Sequence, residues 1–210
     1  MFVHDPKNDI LVYTDGRRSG KTLLYDPKTK QYSDGGPVPR TLDETLSMFC
    51  TRVYDPELGV VAIFPTGKDW KLGDPAPKKL KLEECAMRTF AYDVKTKKWR
   101  DLAPKNQEQV PYSALPGVAY DSRNRAILLV KSDHSGDYPP NDPKIPYGTL
   151  WVLDLAKNTW TQAAEGPKTR LNLGSMTYDP KLNLAICRTP HALWVYRYKG
   201  GCPDDAFSSK

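Results

Sequence analysis

A short apolar run, usually ending in an aromatic residue, followed by an aspartate and a turn, recurs seven times along this 210-residue chain. No other feature restricts the fold as much, because self-similarity on this scale marks a repeat architecture. The motif reads Phe2-Val3-His4-Asp5-Pro6, Leu24-Tyr25-Asp26-Pro27, Val53-Tyr54-Asp55-Pro56 and Ala91-Tyr92-Asp93. It returns as Ala119-Tyr120-Asp121, Val152-Leu153-Asp154 and Thr177-Tyr178-Asp179-Pro180. A strand that ends at the aromatic places the aspartate where its carboxylate accepts backbone amides two residues on, closing an Asx turn. Proline beside it presets φ for a type I turn. Lysine, asparagine and glycine fill the tip, and another β-rich segment follows, so each motif predicts a hairpin.

The segments after the turn alternate. Ile10–Tyr13, Val60–Phe64, Ala126–Val130 and Leu184–Arg188 are apolar, whereas the segments after Asp26, Asp93 and Asp154 centre on Tyr32, Trp99 and Trp160. The unit is therefore four antiparallel strands, repeated over about 1–40, 41–104, 105–166 and 167–210. Such units fan around an axis as β-propeller blades, so the expectation is one all-β domain with small apolar inner strands and polar outer ones. The links between second and third strands range from Thr14–Lys21 to the long Pro65–Met87. Alternate connections of a meander leave from opposite edges, which puts the tight turns on one face and the variable links on the other, the usual binding face. Met1 falls within the first strand, and Leu193–Tyr198 is followed by no recognisable fourth strand. A partial or incomplete ring is expected, the end of a larger ring of about six to eight blades. A self-closed four-bladed disc, or a second copy completing the ring, is the alternative, since open strand edges call for a partner.

The stretch Leu150-Trp151-Val152-Leu153-Asp154-Leu155-Ala156-Lys157-Asn158-Thr159-Trp160, leading to Gly166-Pro167-Lys168-Thr169-Arg170, resembles a Kelch repeat. Thr89–Trp99 is a second such stretch. The diglycine usual after the second strand is missing, since Val130 leads into Lys131-Ser132-Asp133 and Phe64 into Pro65-Thr66-Gly67. The chain therefore resembles a divergent propeller of the broader galactose-oxidase-like kind. The resemblance implies an arginine near the central channel, the place of Arg40 and Arg170. There a guanidinium bonds carbonyls of adjacent blades or binds a carboxylate. Arg188 is a third candidate of that kind.

Composition narrows the chemistry. Nineteen prolines, twelve tyrosines and five tryptophans suit many turns between aromatic strands and disfavour a helical protein. The apolar runs are too short for a membrane-spanning helix. A net charge of +6 admits a polyanion partner, but the lysines are scattered through turns, so a solvated surface is expected and nucleic acid is not. The four cysteines, Cys50, Cys85, Cys187 and Cys202, form no CxxC or zinc spacing, and Cys50 and Cys187 read as buried thiols within strands.

Gly16-Arg17-Arg18-Ser19-Gly20-Lys21-Thr22 has three residues between its glycines and precedes a strand, so it is a basic loop and not a phosphate-binding P-loop. Arg17 and Arg18 remain able to meet an anion. His4 fills an aromatic position of the repeat. His134 and His191 fall on the variable-link side and could meet there only through the ring geometry. No metal, cofactor or catalytic residue is expected. The cysteine–tyrosine and histidine set of a copper radical oxidase, sialidase boxes and a nucleophilic triad are all missing. Trp70, Tyr138 and Tyr147 lie in long proline-rich links, where they stack on sugars, plug a protein partner, or pack their own loops.

The function expected is a non-catalytic binding or scaffold propeller gripping a protein or carbohydrate through its variable-link face. A carbohydrate-processing or oxidising propeller enzyme and a structural subunit of a larger assembly are the alternatives. Met1–Asp5 carries no signal peptide, so the chain is expected in the cytoplasm, or outside it if a leading segment is missing.

Overall fold

Each aspartate of the repeat closes the turn that follows it. A computed structural model describes residues 2–14, 20–39, 51–64, 88–110, 117–130, 149–164, 176–188 and 193–199. Asp5 Oδ1 accepts the amides of Lys7 (2.9 Å) and Asn8 (3.2 Å), and Asp55 Oδ1 those of Glu57 (2.8 Å) and Leu58 (3.2 Å). Asp26, Asp93, Asp121, Asp154 and Asp179 accept amides of their own turns in the same manner. In every hairpin the aspartate pairs across the ladder with the first residue beyond a four-residue loop, as Asp5 with Ile10 and Asp179 with Leu184. The last loop residue is left-handed each time: Asp9, Lys30, Gly59, Lys97, Arg125, Asn158 and Asn183 have φ between 50° and 66°. A type I turn followed by one left-handed residue matches the twist of the flanking strands.

These hairpins build four antiparallel meanders. The first sheet is β1 (Phe2–Asp5), β2 (Ile10–Thr14), β3 (Lys21–Asp26) and β4 (Gln31–Pro37). The second is β5 (Thr51–Asp55), β6 (Val60–Phe64), β7 (Phe90–Asp93) and β8 (Lys98–Asp101). The third is β9 (Gly117–Asp121), β10 (Ala126–Val130), β11 (Leu150–Asp154) and β12 (Thr159–Ala164). The fourth, among the described residues, is β13 (Met176–Asp179), β14 (Leu184–Arg188) and β15 (Leu193–Tyr196). A single short 3₁₀ turn, Gln107–Gln109, interrupts the described β structure.

The first strands of successive sheets are neighbours, β1 beside β5, β5 beside β9 and β9 beside β13. Each sheet thus meets the next with its forward face and the one before with its backward face. Val12 and Leu24 of the first sheet pack on Val61, Ile63, Phe90 and Tyr92 of the second. Ala62 and Phe64 of the second pack on Ile127, Leu129, Trp151 and Trp160 of the third. Leu128, Val130, Leu150 and Val152 of the third pack on Met176, Ala185 and Cys187 of the fourth. The tight turns lie together on one edge: Arg125 approaches Glu57 (3.7 Å), and Arg123 donates to the carbonyls of Pro180 (3.0 Å) and Lys181 (3.2 Å).

The expectation of small apolar inner strands holds for β9 and needs correction for β1 and β5. Every residue of β6 and β10 is buried, whereas β1 and β5 are partly exposed and carry His4 and Arg52. The second strands β6 and β10 are paired at both edges and covered on both faces, β2 and β14 of the end sheets are only partly buried, and a first strand keeps one edge toward the axis. The rim is not uniformly polar either, because Trp160 of β12 is fully buried against Phe64.

Two pairs of substitutions test this geometry. Gly59 has φ +66° and open space around a would-be Cβ, so Gly59→Ala isolates the cost of the left-handed backbone, about 1 kcal/mol by urea unfolding. Lys30→Gly, at the matching position with φ 56°, is expected to gain roughly 0.5–1 kcal/mol. Trp160→Ala should cost about 3–5 kcal/mol. Tyr32→Ala, at the same register on the exposed first sheet, should change stability by less than about 0.5 kcal/mol in the isolated chain.

Candidate functional site

The seam between neighbouring sheets reuses the repeat residues. Asp5, Asp55 and Asp121, each closing a first hairpin, are buried, whereas Asp26, Asp93 and Asp154 of the second hairpins are half-buried. The buried three meet a tyrosine of the next sheet: Tyr54 faces Asp5, Tyr120 faces Asp55 and Tyr178 lies beside Asp121. Tyr178 donates its hydroxyl proton to Asn183 Oδ1 at 2.8 Å. The Tyr54 and Tyr120 hydroxyls are buried beside their carboxylates without closing a well-formed hydrogen bond. Burial, reinforced by the carboxylate, pushes all three phenols up, Tyr178 to about 12. For Asp5, burial pushes the carboxyl up. The Tyr54 hydroxyl, the Asn8 side chain and the amides of Asn8 and Lys7 outweigh that and hold it below the ordinary range.

Farther out, Trp99 Nε1 donates to Thr22 Oγ1 of the preceding sheet (2.9 Å), and Trp160 Nε1 to Thr89 Oγ1 (3.4 Å). Tyr92 donates to the Gly35 carbonyl at 2.7 Å. A Cβ on Gly35 would stand 2.8 Å from that hydroxyl, so only glycine allows the approach. Burial, with the charges of Asp34 and Asp93, pushes Tyr92 to about 12. Phenols held neutral this far above pH 7 donate hydrogen bonds but do not act as bases there. Cys187, free and buried in β14, is pushed up to about 11 by burial and stays a thiol.

The edge opposite the tight turns collects arginines. Arg52 Nη2 donates to Thr14 Oγ1 of the preceding sheet at 2.7 Å. Arg88 pairs with Asp101, and its guanidinium sits 4.9 Å from the Phe90 ring centroid. Arg188 ends β14 on the same edge, exposed. Planar guanidinium groups along one edge suit carboxylate or phosphate recognition. Of the ligand-binding candidates named from sequence, Arg188 alone lies within the described part. Arg17, Arg18, Arg40, Trp70, His134, Tyr138, Tyr147, Arg170 and His191 lie outside the described residues, as do Cys50, Cys85 and Cys202. Sequence reasoning missed Arg52, Arg88 and the Tyr–Asp seams. The period held the signal for the seams, because a repeat that caps a turn in one sheet must also meet the next. Among the described residues no cluster of three or more His, Cys, Asp and Glu side chains converges, and no helix is long and apolar enough to cross a membrane.

No family model matches the chain, and no curated protein matches it. Solved structures do. A GH74 xyloglucanase from Xanthomonas campestris is similar with TM-score 0.53 and 14% identity, over 93% of this chain and 27% of that one. An auxiliary nutrient binding protein from Bacteroides ovatus gives TM-score 0.52 and 11% identity, over 94% of this chain and 38% of that one. An oligogalacturonate lyase in complex with manganese gives TM-score 0.52 and 11% identity, over 95% and 48%. The chain thus spans from about a quarter to about half the length of these structures. The likeness shows the fold: the sheets are blades of a β-propeller, in an arrangement consistent with part of a ring.

Groups at the seams contribute to the pH dependence of stability. The depressed Asp5 contributes stability that is complete above its ordinary value of 3.8 and disappears as pH falls through the lower folded value. Asp5→Asn should flatten that acid limb in urea midpoints; an unchanged limb would refute the assignment. Tyr92 and Tyr178 act at the other end. Their contribution is complete below pH 10 and is lost as pH climbs toward about 12, which phenolate absorbance tracks.

Proposed function

We propose that this chain is a non-catalytic binding module whose link edge holds a carbohydrate. One observation carries the reading: among the described residues every tight turn is the same four-residue loop on one edge, while the connections on the other run from 189–192 to 65–89. A face built of constant, internally satisfied turns has little to vary, and a face of unequal links can be shaped to a ligand. The solved structures of like fold include a xyloglucanase, a nutrient binding protein and an oligogalacturonate lyase, which favours a sugar over a protein as ligand. In this reading Trp70, Tyr138 and Tyr147 stack on sugar rings. Arg17, Arg18, Arg40, Arg170 and Arg188 meet carboxylates of acidic sugars, and His134 and His191 add polar contacts. In this reading the resemblance of the Leu150–Trp160 hairpin to a Kelch repeat supports a divergent propeller of that kind.

The test is an array of neutral and acidic glycans followed by calorimetry on the best ligand. Trp70→Ala or Tyr138→Ala should weaken binding by about tenfold or more. Arg188→Ala should weaken acidic glycans only. Turnover of a bound glycan would replace this reading with an enzyme. Silence on the array, with a protein held by the same edge, would replace it with a protein-binding module.

A further inference from the structure

We infer that the backward face of the first sheet and the forward face of the fourth are the two halves of one further seam, joined head to tail between two copies of this chain. The inference does not depend on which ligand the link edge holds. Three internal seams each press the forward face of one sheet onto the backward face of the next. Among the described residues, one face of each kind is left over. Phe2 (48% exposed) and Tyr32 (59%) lie on the backward face of the first sheet, and Leu193 (71%) and Val195 (53%) on the forward face of the fourth. Among the described residues, only Leu58, at a turn tip, is a large exposed apolar side chain lying elsewhere.

Register shows what these positions do when covered. Val195 corresponds to Leu24, Ala91 and Val152, and Leu193 to Thr22, Thr89 and Leu150, all buried in internal seams. Tyr32 corresponds to Trp99 and Trp160, which donate across a seam to Thr22 and Thr89. The left-over faces therefore have the shape of a seam without its second half.

Their chemistry says that the second half is this chain's own. At the position of Tyr54, Tyr120 and Tyr178 the first sheet carries His4, and at the position of Asp5, Asp55 and Asp121 the fourth carries Asp179. Docked, an imidazole N–H meets the carboxylate that a phenol meets elsewhere. The residues at the link edge match in the same way. Internal seams oppose Arg52 to Thr14, Val118 to Phe64 and Met176 to Val130: one donor–acceptor pair and two apolar pairs. The new seam opposes Phe2 to Arg188, a guanidinium over an aromatic ring, the contact Arg88 already makes with Phe90. Phe2 is braced for this by Tyr13, ring centroids 4.9 Å apart, and Tyr25 and Tyr32 form a second aromatic pair at 4.9 Å. Two runs of four sheets joined by two identical seams form a closed two-fold ring. That ring is within the range of about four to eight blades and leaves no free face to propagate a filament.

Sedimentation velocity and light scattering across about 1–100 µM test this. The chain of 23.7 kDa is expected to run as two copies. Val195→Asp on one face and Phe2→Asp on the other should each raise the dissociation constant by at least about tenfold. The melting temperature of the monomer should hold, because both side chains are solvent-facing. Leu193→Lys and Tyr32→Asp are the second choices if either change disturbs folding. An equimolar mixture of Val195→Asp and Phe2→Asp chains keeps one competent face of each kind, so a one-seam dimer should return. A monomer at every concentration, a dimer indifferent to both substitutions, or a mixture that stays monomeric overturns the inference; a monomer leaves the two faces to a different chain.

Discussion

A sheet with apolar side chains on both faces cannot stand alone in water, and everything else in this molecule follows from that. The residues of β6 are buried to the last side chain, with Ala62 and Phe64 on one face and Val61 and Ile63 on the other. Burying a side chain of that size contributes about 1.5–3 kcal/mol, and each sheet offers several on either side. No two-layer arrangement covers both faces of four such sheets. Fanning them about an axis covers both faces of the second and third sheets and one face each of the first and fourth.

The polar contacts decide how the walls meet. Apolar area alone would tolerate sliding of one sheet on the next. The bonds from Trp99 to Thr22, Trp160 to Thr89 and Tyr92 to Gly35, with the Tyr–Asp contacts near the axis, set a single register at each seam. The same aspartate that satisfies its own turn also faces the next sheet, so turn geometry and seam geometry are coupled through one carboxylate. A division of labour results: the turn edge is rigid and internally satisfied, and the link edge is where length and sequence vary.

Much of this was legible from spacing. The aspartate motif placed the hairpins, and the strands Val60–Phe64, Ala126–Val130 and Leu184–Arg188 have the bounds that apolar runs suggested. Local hydrogen bonding explains that success, since an Asx turn and the strand after it are decided within about ten residues. The left-handed residue at each loop end was less legible, because Lys30, Lys97 and Arg125 occupy positions where glycine or asparagine would have announced it. Of the candidate site, Arg188 is legible in the sequence and Arg52 and Arg88 are not, because nothing local distinguishes an arginine facing a neighbouring sheet from one facing solvent.

By itself, the sequence determined the unit: which segments pair, where they turn, and that the unit is repeated. These are short-range matters, resolved by backbone donors, carboxylate acceptors and alternation of side chains. Only the tertiary structure decided which strands are deepest, which aspartates are buried against a tyrosine, and which faces stay uncovered. Those depend on one sheet lying against another, and residues far apart in the chain acquire partners only once the sheets have stacked.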